Sequence, residues 1–215
     1  MVKPLKFKLD YFDKKTLIIT SFVSAILISN LLTVKLCDTG VFGIVVDCGT
    51  LLFPLTYLLS DVVTEAYGER TAKRTIYLGF LFNLLLVIFT QLSVMAPYPA
   101  YFDGQGAYAY VFSFAPRILA GSLLAYLCGQ YVNMKLMIWI KEWTQGKHLF
   151  LRTIGSSIGG EWIDSLIFVT VVFYGTMPLS ALCSVFIIQY VIKVLWEVVM
   201  QPLTYSAINW AKNGE

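Results

Sequence analysis

Three pairs of ionisable residues sit at helical spacing inside strongly apolar sequence: Asp61 and Glu65 four apart, Glu161 and Asp164 three apart, Lys193 and Glu197 four apart. Such separations put both members of each pair on one face of a helix. Carboxylates placed this way accept hydrogen bonds from N–H groups or balance a cation, and the lysine donates to a carbonyl or carboxylate. Neutral polar residues extend these faces: Tyr57 one turn before Asp61, Gln189 one turn before Lys193, Gln130 with Asn133, and Asn30 earlier in the chain. Trp162 and Trp196, beside the acids, offer rings for stacking. The acids outnumber the single lysine. Either some are protonated, or the site awaits a ligand that donates hydrogen bonds or carries positive charge. The plainer reading is a set of ion pairs and hydrogen bonds that hold helices together.

Other chemistries fit poorly. Cys37, Cys48, Cys128 and Cys183 form no CxxC pair and the one histidine, His148, lies in a polar stretch, so neither a metal centre nor another cofactor is expected. A zinc protease needs a histidine pair. An intramembrane aspartyl protease needs a Gly-x-Gly-Asp type of setting, which neither acidic helix has, so the chain is not read as an enzyme.

The elements that must position these groups are membrane helices. Hydrophobic residues make up 58% of the chain and charged residues 13%, against roughly 45–50% and 25% in soluble domains. Three stretches lack formal charge over spanning length, 17–34, 76–95 and 118–134, and three more are apolar with charges inside, 48–67, 154–174 and 178–207. The expected architecture is an all-α integral membrane protein of six transmembrane helices, one domain over residues 1–215. Long uniform apolar runs exclude a β-barrel. The basic N-terminus leads into a stretch too long for a signal peptide, so the first helix is expected to remain.

Thirteen of the sixteen Lys and Arg residues fall on one side of this arrangement, including Lys3, Arg70, Lys141 and Lys212. The positive-inside rule makes that side cytoplasmic, with both termini there, in the cell (inner) membrane. The opposite joints carry Asp38, Asp47 and Asp103, read as outer-loop acids. Counting 1.5 Å per residue from the predicted ends puts Asp61, Glu65, Gln130, Glu161, Asp164, Lys193 and Glu197 between the midplane and the cytoplasmic third, where they can line one cavity.

Other features receive simpler readings. Ser21, Ala25 and Ser29 form a small-residue ridge for close helix packing. Pro54 and Pro202 are expected to interrupt the second and sixth helices as kinks or hinges. Arg117 and Lys35 are rim anchors. Cys37 and Cys48 flank an outer loop that allows a disulfide, although two unpaired small apolar residues is the preferred reading.

The motifs also carry a family resemblance. Ser29-Asn30, Phe53-Pro54-Leu55-Thr56-Tyr57 through Asp61, Thr64-Glu65-Ala66-Tyr67-Gly68, Arg117 with Gly129-Gln130 and Asn133, Arg152-Thr153-Ile154-Gly155-Ser156 leading to Gly160-Glu161 and Asp164-Ser165, and Lys193-Val194-Leu195 with Glu197 and Pro202-Leu203-Thr204 together resemble the queuosine-precursor transporter family, also called the vitamin uptake transporter family. The resemblance spans about residues 20–208. It implies a six-helix importer of 7-deazaguanines such as preQ0, preQ1 or queuine, and a likeness to substrate-binding subunits of energy-coupling-factor transporters. Some relatives carry Asp where this chain has Asn133 and a small residue in place of Glu197. The expected substrate-binding set, from spacing, depth and these motifs together, is Asn30, Asp61, Glu65, Gln130, Asn133, Glu161, Asp164, Lys193, Trp196 and Glu197. The partners expected are a small-molecule solute and the lipid bilayer, with no nucleic acid. A homodimer or an energising subunit stays open, as does the alternative of a binding subunit for another vitamin-like solute in an ATP-driven system.

Overall fold

The computed structural model describes residues 10–38, 45–145 and 149–212, with the side chains of Tyr57, Glu65, Gln130 and Glu197 among those outside the described set, as is His148. Within these residues the chain is helical apart from one small hairpin: α1 (Tyr11–Leu32), β1 (Leu36–Asp38), β2 (Val45–Asp47), a 3-10 turn (Cys48–Leu51), α2 (Phe53–Tyr67), α3 (Glu69–Met95), α4 (Gln105–Ser113), α5 (Ala115–Trp143), α6 (Leu149–Phe173) and α7 (Leu179–Lys212). Among the described residues, five stretches are long and apolar enough to cross a membrane, from α1, α3, α4 with α5, α6 and α7. The chain is an all-α membrane protein.

Helix α1 begins six residues before the apolar stretch because Asp10 caps it, accepting from the Asp13 N–H at 2.7 Å while the Asp13 carboxylate accepts the Asp10 N–H at 3.2 Å. Lys14, charged but buried, sends its ammonium to the Trp210 carbonyl at 2.7 Å and lies 4.9 Å from the indole centroid. That contact ties the start of α1 to the end of α7. Close by, Tyr11 packs edge-on against Tyr67 at the end of α2.

The fifteen residues of α2 run back alongside α1, from the hairpin to the end where α1 began. Ile18 and Phe22 of α1, Val62 and Val63 of α2, Ala72 of α3 and Ile208 and Ala211 of α7 form the apolar cluster there. Gly68 ends α2 and starts α3 with no intervening loop, at φ 81° and ψ 163°, a conformation that a side chain would strain. Pro54 stands in the first turn of α2, where its missing N–H costs nothing, so it opens that helix and does not kink it. Pro202 lies within a continuous α7.

The hairpin at the other end corrects two sequence-based readings. β1 and β2 pair antiparallel with Cys37 opposite Val46, which brings Cys37 beside Cys48. The two sulfurs are bonded, with Cα atoms 6.1 Å apart, so these cysteines are not unpaired apolar residues. The eleven-residue spacing does not show the strand pairing that closes the gap. Asp47, read as an outer-loop acid, is instead fully buried, because the hairpin folds inward against α7. Helix α4 was not expected either. It packs on the end of α3, with the Tyr108 hydroxyl 2.8 Å from Ser93 Oγ and Gln91 Nε2 donating to the Phe112 carbonyl at 2.8 Å.

Candidate functional site

The closest helix pair builds one wall. A Cβ on Gly129 of α5 would lie 2.9 Å from Asp164 Cβ, and one on Gly160 of α6 would lie 2.8 Å from Asn133 Cβ. Glycine at both positions lets the two backbones touch and sets Asn133 and Asp164 on either side of the seam. Arg117 steadies the same pair. Its guanidinium donates to the Val171 and Tyr174 carbonyls at 2.5 Å, so the residue closes the end of α6 and its part is structural.

Lys193, near the middle of α7, reaches this wall. Its ammonium lies 3.3 Å from Glu161 Oε2 and makes its closest contact with Asp164 Oδ2. The lysine side chain is 1% exposed, and the two acids 14% and 20%. A buried ammonium costs several kcal/mol of lost hydration, which two carboxylates offset. The three charges sum to one negative, and Asp61 on α2 adds another carboxyl at the same cavity.

The cavity has a volume of about 290 Å³ and receives residues from α1, α2, α3, α5, α6 and α7. That is near the lower end of the roughly 300–1,000 Å³ of small-molecule sites. Of the residues singled out in the sequence, Asn30, Asp61, Asn133, Glu161, Asp164, Lys193 and Trp196 all line it. Trp162 does not. It packs edge-on against Phe186 at 4.8 Å and Tyr190 at 5.0 Å. The small-residue ridge is consumed within the chain: Ala25 and Ser29 are buried, and the Ser29 hydroxyl donates to the Gly49 carbonyl at 3.0 Å.

Two features of the lining were missed. Asn83, buried on α3, accepts from Asn30 Nδ2 at 2.7 Å and donates to the Gly79 carbonyl at 2.9 Å. Its signal is an amide in the middle of an apolar span, weaker than that of a formal charge. Tyr126 of α5 and Phe80 of α3 meet at 5.8 Å and 63°, and both rings line the cavity. Asn133, expected in the site, lines it with its Oδ1 buried and without a hydrogen-bond partner among the described residues. The site therefore offers carboxylates and an amide oxygen as acceptors, an ammonium and amides as donors, and aromatic walls. A small planar heterocycle with a donor edge matches that inventory.

Comparison with known proteins gives a consistent picture. The family described as "Putative vitamin uptake transporter" matches residues 47–207. A protein of Bacillus subtilis named "Probable queuosine precursor transporter" is 31% identical over 189 residues, covering 87% of this chain and 81% of the relative. The "Queuosine precursor transporter" of Escherichia coli is 23% identical over 172 residues, 79% of this chain and 75% of the relative. No solved structure matches the chain.

Proposed function

Because the chain belongs to the vitamin uptake transporter family, we propose that it is a membrane transporter importing queuosine precursors, 7-deazaguanines such as preQ0, preQ1 or queuine, into the cytoplasm. The observation that carries this reading is Lys193 held by Glu161 and Asp164 on the wall of a 290 Å³ cavity faced by Tyr126 and Trp196. A guanine-type edge presents an N–H and an NH₂ side by side, which one carboxylate accepts as a pair. Its ring carbonyl needs a donor, and Lys193 or an amide supplies one. An aminomethyl cation, as on preQ1, is met by a second carboxylate, and the bicyclic ring stacks on an aromatic face. The cavity's size favours one free base over a nucleotide. Glu65, Gln130 and Glu197 join the binding set in this reading by their helical spacing from Asp61, Asn133 and Lys193.

In this reading α2 is a sixth crossing and both termini are cytoplasmic, which the basic bias of the sequence supports. Cysteines at Asp103 and Lys147 should react with an impermeant thiol reagent from opposite sides of the membrane. Labelling from the same side would overturn the topology.

Thermal-shift screening of the purified protein against preQ0, preQ1, queuine, guanine and unrelated vitamins tests the substrate. Stabilisation by 7-deazaguanines and not by the vitamins is the expected result. The reverse pattern would overturn the assignment. Uptake by the reconstituted chain alone separates a solitary carrier from a subunit that depends on an ATP-driven partner.

A further inference from the structure

Asp47 stands outside the cavity lining, and transport as described above makes no use of it. Its carboxylate is fully buried in β2, between α1 and α7. Oδ1 accepts the Thr50 N–H at 3.1 Å, and Oδ2 accepts the Thr50 hydroxyl at 2.7 Å and Gln189 Nε2 at 3.1 Å. Capping the 3-10 turn explains Thr50. It does not explain a buried amide from 142 residues away on α7.

We propose that Asp47 is a proton-binding site, occupied when the disulfide-tied hairpin is closed on α7, and that loss of this proton frees the hairpin. The hydrogen-bond inventory supports a neutral acid. Thr33 Oγ1 lies 3.3 Å from Asp47 Oδ1 and 3.0 Å from the Ser29 carbonyl, and a hydroxyl has one proton to give. If that proton goes to Ser29, the shorter contact, an ionised Asp47 faces the threonine oxygen lone pair to lone pair. A protonated Oδ1 donates to Thr33 and satisfies the whole chain from Asp47 to Thr33 to Ser29. Gln189 Oε1, buried and without a partner among the described residues, provides a second acceptor if the amide turns over. A metal cation fits badly, since the carboxylate oxygens already face N–H and O–H donors and no second carboxylate is adjacent among the described residues.

The electrostatics point the same way. Burial pushes the Asp47 carboxyl up, against the lowering effect of its bonds to Thr50 and Thr33 and of the Lys193 charge. Among the groups facing it, Lys193 is the titratable one, one turn along α7 from Gln189 and already committed to Asp164 and Glu161. Thr33 and Ser29 of α1 and Thr50 of the turn do not titrate, and Lys35 before β1 is exposed. A site that binds its proton more tightly closed than open is stabilised in the closed form by that proton. Closure is therefore strongest at low pH and weakens as pH rises through the raised pKa. Cys37–Cys48 ties β1 to the start of the 3-10 turn, and Ser29, whose hydroxyl donates to the Gly49 carbonyl of that turn, also lines the cavity, so release of the hairpin loosens the wall at Ser29.

Two ligand-free measurements on the full chain in lipid nanodiscs test this, so a failed transport assignment would leave it standing. Infrared titration should show a protonated-carboxyl band that persists above the usual aspartate range of about 4 and is missing in Asp47→Asn. Hydrogen exchange over residues 45–51, corrected for intrinsic rates, should lose about tenfold or more of its protection across the same pH interval. Asp47→Asn, which mimics the neutral acid, should stay protected throughout. Thr33→Val, which removes the acceptor for the proton, should move the wild-type transition to lower pH. Absence of the band, pH-independent protection in the wild type, an Asp47→Asn variant that follows the wild-type course, or an unmoved transition in Thr33→Val would each overturn the proposal.

Discussion

Replacing the three members of the buried charge cluster one at a time separates ligand recognition from structural support. Lys193→Met leaves Glu161 and Asp164 facing each other without their shared cation, and breaking a buried ionic cluster from one side costs about 3–5 kcal/mol. Asp164→Asn is milder. Lys193 keeps Glu161 at 3.3 Å, the remaining pair is neutral, and Asp164 is 20% exposed, so the lost charge-assisted bond costs about 1.5–3 kcal/mol at most. Glu161→Gln should behave alike. Melting temperatures should follow that order, at about 2–4 °C per kcal/mol for a chain of this size. The double variant Lys193→Met with Asp164→Asn should be more stable than Lys193→Met alone, because one of the two stranded charges is gone. Ligand affinity follows a different order. An amide in place of the carboxylate that reads paired N–H groups loses one charge-assisted bond and sets donor against donor. The penalty is about 2–4 kcal/mol, or roughly thirty- to a thousand-fold in Kd. At least one of Glu161→Gln, Asp164→Asn and Glu197→Gln should lose 7-deazaguanine binding in calorimetry while its ligand-free melting temperature stays within a few degrees of wild type. If all three bind normally, or lose binding only as they unfold, the acids are structural and the site assignment is wrong.

Gly129→Ala should destabilise by about 1–3 kcal/mol and weaken ligand binding, because the new Cβ sits 2.9 Å from Asp164 Cβ and must push α6 outward. Gly79→Ala, whose Cβ meets a flexible Ile26 methyl at 3.4 Å, should be neutral or slightly stabilising by thermal melt. Arg117→Met should lower the melting temperature by removing two carbonyl contacts while leaving ligand Kd unchanged; a large affinity loss at constant stability would make Arg117 a ligand after all. Reduction of Cys37–Cys48, which closes an eleven-residue separation, should cost about 2–4 kcal/mol, read as a lower melting temperature in reductant that Cys37→Ser with Cys48→Ser reproduces.

The helices were legible because an apolar run of spanning length has few soluble explanations, and the charged cavity because helical spacing alone aligns Glu161 with Asp164. What escaped the sequence depended on contacts distant in the chain. The capping box at Asp10 extends α1 through residues that look like a polar tail, and Lys14 is buried only because Trp210 comes to meet it. The strands of the hairpin are three residues each, too short for an alternation pattern, so neither the disulfide nor the burial of Asp47 was visible. Asn83 and Tyr126 carry no charge and stood out less than the acids, although they face the same cavity. The glycines at 129 and 160 had been noticed as motif letters. Their role became clear only when the two helices met.

In the six-crossing arrangement proposed above, the shortness of α2 bears on the electric field. Fifteen residues rise about 22 Å, against a hydrocarbon core of about 30 Å, and Gly68 joins the helix directly to α3. Helices α1, α3 and α7 pack against α2, so lipid need not thin along its whole girth to match it, and water can instead enter as shallow wells at its ends. The insulating layer beside the cavity is then thinner than the bilayer, and the membrane potential falls more steeply across it. An elementary charge crossing 100 mV exchanges about 2.3 kcal/mol with the field wherever the drop occurs. For a cationic solute, most of that exchange would be concentrated in the short passage past Asp61 and Lys193.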